Sequence, residues 1–111
     1  MEDPRLVERL AAAGIACEVC PSSNVSLGVS PNEASVPVRT LVEAGVPVAL
    51  GADDPLLFGR RLVKQYEIAR DVQRFTPAEL AELARMSIRS SAAPADTKTR
   101  LLSAIDAWLA A

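Results

Sequence analysis

Apolar residues in the first half of the chain alternate between helical and strand-like spacing, and in the second half the spacing is wholly helical. Leu6, Leu10 and Ala13 share one face of a helix predicted from Pro4 to Ala13, with Asp3 as N-cap and Pro4 at the first helical position. Cys17–Cys20 then reads as a short strand and Pro21–Pro31 as a polar loop. Pro37–Ala44 reads as a second helix, and Val46–Leu50 as a second strand running into Gly51-Ala52-Asp53-Asp54-Pro55. Beyond that point Leu62, Tyr66, Ala69 and Val72 lie on one helical face. Thr76-Pro77-Ala78-Glu79 is a capping box, with Phe75 and Leu80 at the hydrophobic-staple positions, and it opens a helix to about Ile88. Asp96 is expected to cap a last helix whose apolar side carries Leu101, Leu102, Ile105, Trp108 and Leu109.

Two segments resemble each other. Leu10–Cys20 and Leu41–Gly51 each read as a helix end, a glycine, then an apolar strand, at an offset of 31 residues. The glycines, Gly14 and Gly45, suit the left-handed position that ends a helix. Successive helix–strand units of this size predict two parallel strands joined by a right-handed crossover. Parallel strands are normally buried in sheets of several strands, and only two are found here. Their outer edges would be unpaired, which invites self-association. The pattern is that of part of a larger α/β fold.

Composition narrows the chemistry. Half of the 111 residues are hydrophobic, and the net charge is −2 with acids and bases interspersed. Without a basic stripe or an aromatic platform, nucleic acid is not an expected partner. No apolar run reaches the roughly 20 residues of a membrane helix, so a membrane is not expected either. Met1-Glu2-Asp3-Pro4 is acidic and polar, unlike a secretory signal, and with two cysteines it points to the cytoplasm. There is no histidine. The chain therefore cannot complete a histidine-based metal site or a Ser-His-Asp triad by itself.

The candidate site residues follow the strands. Asp53 and Asp54 sit just past the second strand, at the end where parallel α/β folds bind ligands. Two carboxylates there could hold a metal and contact a ligand, whereas the local pattern alone favours a helix start with Asp54 as N-cap and Pro55 at the first position. Ser22, Ser23 and Asn24 either bond a ligand or form a turn. Cys17 and Cys20 lack the second pair a zinc site needs and read as strand residues on opposite faces, there for packing. Gly28 belongs to no phosphate loop. Arg60-Arg61 reads as a solvated helix face, and Trp108 as a core or interdomain contact.

Cys20-Pro21-Ser22-Ser23-Asn24, Leu41–Ala44 with Gly45-Val46-Pro47, and Asp53-Asp54-Pro55-Leu56-Leu57-Phe58-Gly59 together resemble the C-terminal stretch of the adenosine deaminase family. The tail fits as well, through Ala81–Arg85, Ser87, Ser90-Ser91, Pro94 and Ile105–Trp108. The resemblance covers the chain in order. It implies an α/β fold, a partial (β/α)8 TIM barrel, with residues 1–111 supplying its last two strands and closing helices. It implies hydrolytic deamination of a 6-aminopurine such as adenosine, in which zinc lowers the pKa of a water that attacks C6. By the same resemblance Asp53 is the zinc-binding aspartate, which also orients the attacking hydroxide, and Asp54 bonds purine N7. The family's zinc-binding histidines, its catalytic glutamate and a further active-site histidine belong to earlier strands. The chain alone is therefore expected to be inactive and to hold no zinc tightly. Gly51-Ala52 replaces the Asn-Ser/Thr common before the paired aspartates, and Val36-Pro37 replaces a common His-Pro, so the substrate is left open among related aminopurines. The other reading is a non-catalytic remnant that pairs with itself or with a larger homologue.

Overall fold

The computed structural model describes residues 3–111, so the reading of Met1 and Glu2 lies outside the described residues. Helix α1 spans Pro4–Ala13 as predicted, with the Asp3 carboxylate accepting the amides of Arg5 and Leu6. Strand β1 is Cys17–Val19 and strand β2 is Val48–Leu50, and they pair in parallel. Between them lie helix α2 (Pro21–Ser26), a 3-10 turn at Glu33–Ser35 and helix α3 (Val38–Glu43). After β2 come α4 (Pro55–Phe58), α5 (Leu62–Asp71), α6 (Pro77–Ser90) and α7 (Ala95–Ala110).

The repeat seen in the sequence is physical. In the strand register Cys17 faces Val48, Glu18 faces Ala49 and Val19 faces Leu50, each pair separated by the same 31 residues. The turns that feed the strands match too. Gly14 and Ile15 donate back to Ala11 and Leu10, while Gly45 and Val46 donate to Val42 and Leu41. Gly14 and Gly45 take φ of 65° and 84°, which a residue with a Cβ adopts only at a cost.

Strand alternation splits the sheet into two faces. Val19, Val48 and Leu50 are buried in the core cluster, and Cys17 packs against it. Glu18 is exposed and Ala49 half-buried, on the opposite face. The core is completed by Val36, Val38 and Leu41 before β2 and by Ala69, Phe75 and Leu83 after it. Helix α6 packs on β2, and the Met86 sulfur accepts the Val48 amide at 3.3 Å. The capping box opens α6 as predicted, with Thr76 and Glu79 each bonded to the other's backbone. Arg39 of α3 lies 4.2 Å from the centroid of the Phe75 ring and reaches Glu79 at 3.2 Å, tying α3 to the start of α6.

Several expectations need correction. Cys20 lies outside β1 and precedes α2 as its N-cap, and Pro21–Ser26 is helical where a loop was expected. Pro21 takes the first helical position, which suits its fixed φ and missing amide, and tertiary contacts then bury Pro21, Ser22 and Ser23. On α5, Ala69 is buried and Tyr66 packs against the core as expected, whereas Leu62 and Val72 at the two ends are exposed and Gln65 and Ile68 complete the buried face. Arg60 and Arg61 precede α5 instead of lying on a helix, with Arg61 as its N-cap and Arg60 paired to Glu33 at 2.7 Å. Pro94, not Asp96, occupies the N-cap of α7, and Asp96 sits in its first turn, where a negative charge suits the helix dipole. Trp108 is 57% exposed, which overturns the core alternative for it, and it lines an apolar groove between α5, α6 and α7.

Candidate active site

Both strands run towards the same end of the sheet, and the chain leaves each one through a short helix that opens with proline. From β1 it passes through Cys20 into Pro21 of α2, and from β2 through Gly51-Ala52-Asp53-Asp54 into Pro55 of α4. Glu18, Cys20, Ala49, Gly51 and Asp53 line an open cleft of about 590 Å³ at this end. All of these residues lie on, or follow, the sheet face that the core cluster leaves uncovered.

The two aspartates differ in what they do. Asp54 is the N-cap of α4, and its Oδ1 accepts the amides of Leu56 at 3.0 Å and Leu57 at 3.1 Å. The helix-start reading of Asp54 therefore holds locally. A carboxylate has two oxygens, and the cap engages one, which fixes the side chain and leaves the other free to accept. Asp53 is exposed, and among the described residues nothing donates to its carboxylate. Its backbone is held at φ 58°, an uncommon conformation for a residue with a side chain. The turn separates the two acids: Asp54 folds back on its own helix, while Asp53 remains on the cleft wall.

Other sequence candidates fall around this end with different roles. Ser22 and Ser23 are buried, so the turn-former reading gives way to packing inside α2. The Ser23 hydroxyl donates to the Cys20 carbonyl, the Ser22 amide donates to Gln65 Oε1, and the Ser22 hydroxyl has no partner among the described residues. Asn24 acts through its carbonyl, which accepts the amides of Val29 and Ser30 in the turn after α2. Cys17 and Cys20 are both free. Cys17 faces the core as expected of a packing residue, whereas Cys20 faces the cleft, where burial first and the Asp53 carboxylate second push its thiol pKa up. Glu18 on the cleft wall was not singled out from the sequence. The signal was present in the strand period, which places Glu18 and position 20 on one side of the chain.

Asp53 suits a metal as one exposed oxygen ligand, but it does not make a site. Among the described residues no three His, Cys, Asp or Glu side chains group closely enough to hold an ion. A structural or catalytic zinc takes at least three protein ligands. The remaining ligands would have to come from outside this chain.

Against known proteins, the profile described as adenosine deaminase matches residues 1–108. The chain belongs to the adenosine deaminase family. It is 66% identical over 108 residues to a Streptomyces virginiae protein whose name assigns it provisionally as an adenosine/adenine deaminase, covering 97% of this chain and 32% of that protein. The crystal structure of adenine deaminase from Arthrobacter aurescens superposes with a TM-score of 0.95 at 37% identity, covering 100% of this chain and 34% of that one. An amidohydrolase from Burkholderia ambifaria, solved with bound zinc, shares the fold at a TM-score of 0.82 and 24% identity, over 98% of this chain and 31% of that one. The chain thus spans about a third of the relatives it matches. Its two strands and surrounding helices correspond to the C-terminal part of a deaminase barrel, as the sequence resemblance implied.

Proposed function

We propose that this chain is the C-terminal segment of a zinc-dependent 6-aminopurine deaminase and that it supplies Asp53 and Asp54 to the active site. The carrying observation is the placement of this acid pair. It sits past the end of β2, with Asp53 exposed on the cleft and Asp54 fixed by two backbone amides, in a chain matched throughout by an adenine deaminase structure. The reaction is aminopurine plus water to the 6-oxo purine plus ammonia. Zinc, when bound, supplies a Lewis acid that makes water a nucleophile near neutral pH. Asp53 would serve as its carboxylate ligand and orient the attacking oxygen. The free oxygen of Asp54 would bond the purine at N7, and the cap holds that oxygen in place before substrate arrives.

Adenine is the substrate to test first, since the solved relative of highest identity given above is an adenine deaminase. The unpaired outer edges of β1 and β2 take up the neighbouring strands of the complete barrel in this reading, and otherwise self-associate. Two free cysteines suit the reducing cytoplasm as its compartment. No helix among the described residues is long and apolar enough to cross a membrane.

The test is a hybrid barrel in which this chain replaces the matching third of the Arthrobacter enzyme. Ammonia release from adenine and from adenosine is measured for the hybrid and for Asp54→Ala. The reading predicts turnover of at least one of the two, and a raised KM in Asp54→Ala. A folded hybrid that binds zinc but deaminates neither purine would sink the substrate assignment.

A further inference from the structure

The turn that carries Asp53 is left-handed, and the side chain of Cys20, just past the end of β1, sits against Gly51 at its start. Leaving β2, the backbone reaches φ 58° at Asp53, a left-handed conformation uncommon for a residue with a Cβ. Such a conformation persists only where its surroundings hold it. Gly51 cannot move away from β1, because its amide donates to the Val19 carbonyl at 3.0 Å. A Cβ placed on Gly51 would lie 2.9 Å from Cys20 Sγ and 4.0 Å from the Asp53 nitrogen. The sulfur therefore occupies the volume that any residue other than glycine would fill. Cys20 and Asp53 line the same cleft.

We propose that Cys20 is a positioning residue for Asp53: its sulfur sits in the notch over Gly51 and holds the left-handed turn that presents the Asp53 carboxylate to the cleft. The metal side of this inference rests on the reading of Asp53 as a zinc ligand, while the backbone side stands without it. Gly51 and Cys20 form a matched pair, a missing Cβ on one strand exit and a sulfur on the other.

Two measurements separate the parts. In the full 111-residue chain, with no metal, amide hydrogen exchange at Gly51, whose N–H donates to the Val19 carbonyl at the base of the turn, reports how firmly the turn is held. Cys20→Ala is expected to speed that exchange about tenfold over wild type, and Cys20→Ser, which keeps a γ atom in the space over Gly51, to recover most of the protection. Gly51→Ala is expected to lower the melting temperature, and adding Cys20→Ala to it to restore part of the loss, since the double variant removes the 2.9 Å contact. In the hybrid barrel, chelator competition is expected to show zinc held about 10- to 100-fold more weakly by Cys20→Ala, with Cys20→Ser close to wild type. If Cys20→Ala only lowers stability, with Gly51 exchange and zinc affinity both within about twofold of wild type, the positioning role is overturned. If the wild-type hybrid binds no zinc, the deaminase reading fails instead, and Gly51 exchange in the chain still decides the role of Cys20.

Discussion

Gln65 offers the sharpest test of how the site end of the sheet is held. Helix α2 begins with Pro21, which has no amide to satisfy, and Cys20 contributes no side-chain cap. The next amide, Ser22 N–H, is buried and depends on Gln65 Oε1 of α5 at 3.1 Å. Gln65 is 0% exposed, and its other bond, from Nε2 to the Arg61 carbonyl, is long at 3.5 Å. Gln65→Met keeps the length and volume of the side chain and removes the acceptor. It leaves a buried amide without a partner, next to a Ser22 hydroxyl that already lacks one. The expected cost is about 1–3 kcal/mol. For a domain near this size that corresponds to a fall in Tm of roughly 4–8 °C per kcal/mol. Thermal unfolding followed by circular dichroism gives the loss, and amide exchange at Ser22 locates it. The reasoning is refuted if Gln65→Met melts within about 0.5 kcal/mol of wild type while the Ser22 amide stays protected.

Three further outcomes are expected. Thr76→Ala removes the side-chain half of the α6 capping box and should cost about 1 kcal/mol, read from urea unfolding; an unchanged midpoint would show that the box is idle. The Thr76 amide, and after it the Arg39 guanidinium, hold the Glu79 carboxyl below its usual 4.5. A depressed folded value means that the stabilisation is present above pH 4.5 and is lost as pH falls through the lower folded value. A pH series of melts should therefore show a loss on acidification that is smaller in Glu79→Gln, and equal slopes would contradict it. The chain by itself should bind zinc weakly in calorimetry and release no ammonia from adenine, since its described residues offer Asp53 but no ligand cluster; turnover abolished by Asp53→Ala would show the chain to be self-sufficient.

The parts legible in the sequence are those fixed by short-range chemistry. Gly14 and Gly45 announced two equivalent helix ends, and the offset between them is the register of the parallel pair. Asp3 and Thr76 announced their helices because a cap is a local bond. What remained hidden depends on distant partners. Pro21–Ser26 has the residues of a turn, and it is helical because α5 reaches across to hold its first free amide. Gln65 is polar, so an apolar stripe drawn through Leu62 and Tyr66 passes it by, although it is among the most buried side chains of α5. Of the site, the acids themselves were visible as a pair after a strand, while the left-handed turn at Asp53 and the approach of Cys20 to Gly51 arise only when two strands are brought side by side.

The central claim is that Asp53 is the carboxylate ligand through which this chain takes part in deamination. The most direct measurement is the zinc content and adenine turnover of the hybrid barrel with Asp53 intact and with Asp53→Ala, each purified in parallel and checked for native melting. The account predicts a zinc-loaded, active hybrid, and an Asp53→Ala variant that stays folded, binds zinc at least about 10-fold more weakly and loses at least about 100-fold in turnover. A variant that keeps both its zinc and its turnover would contradict it.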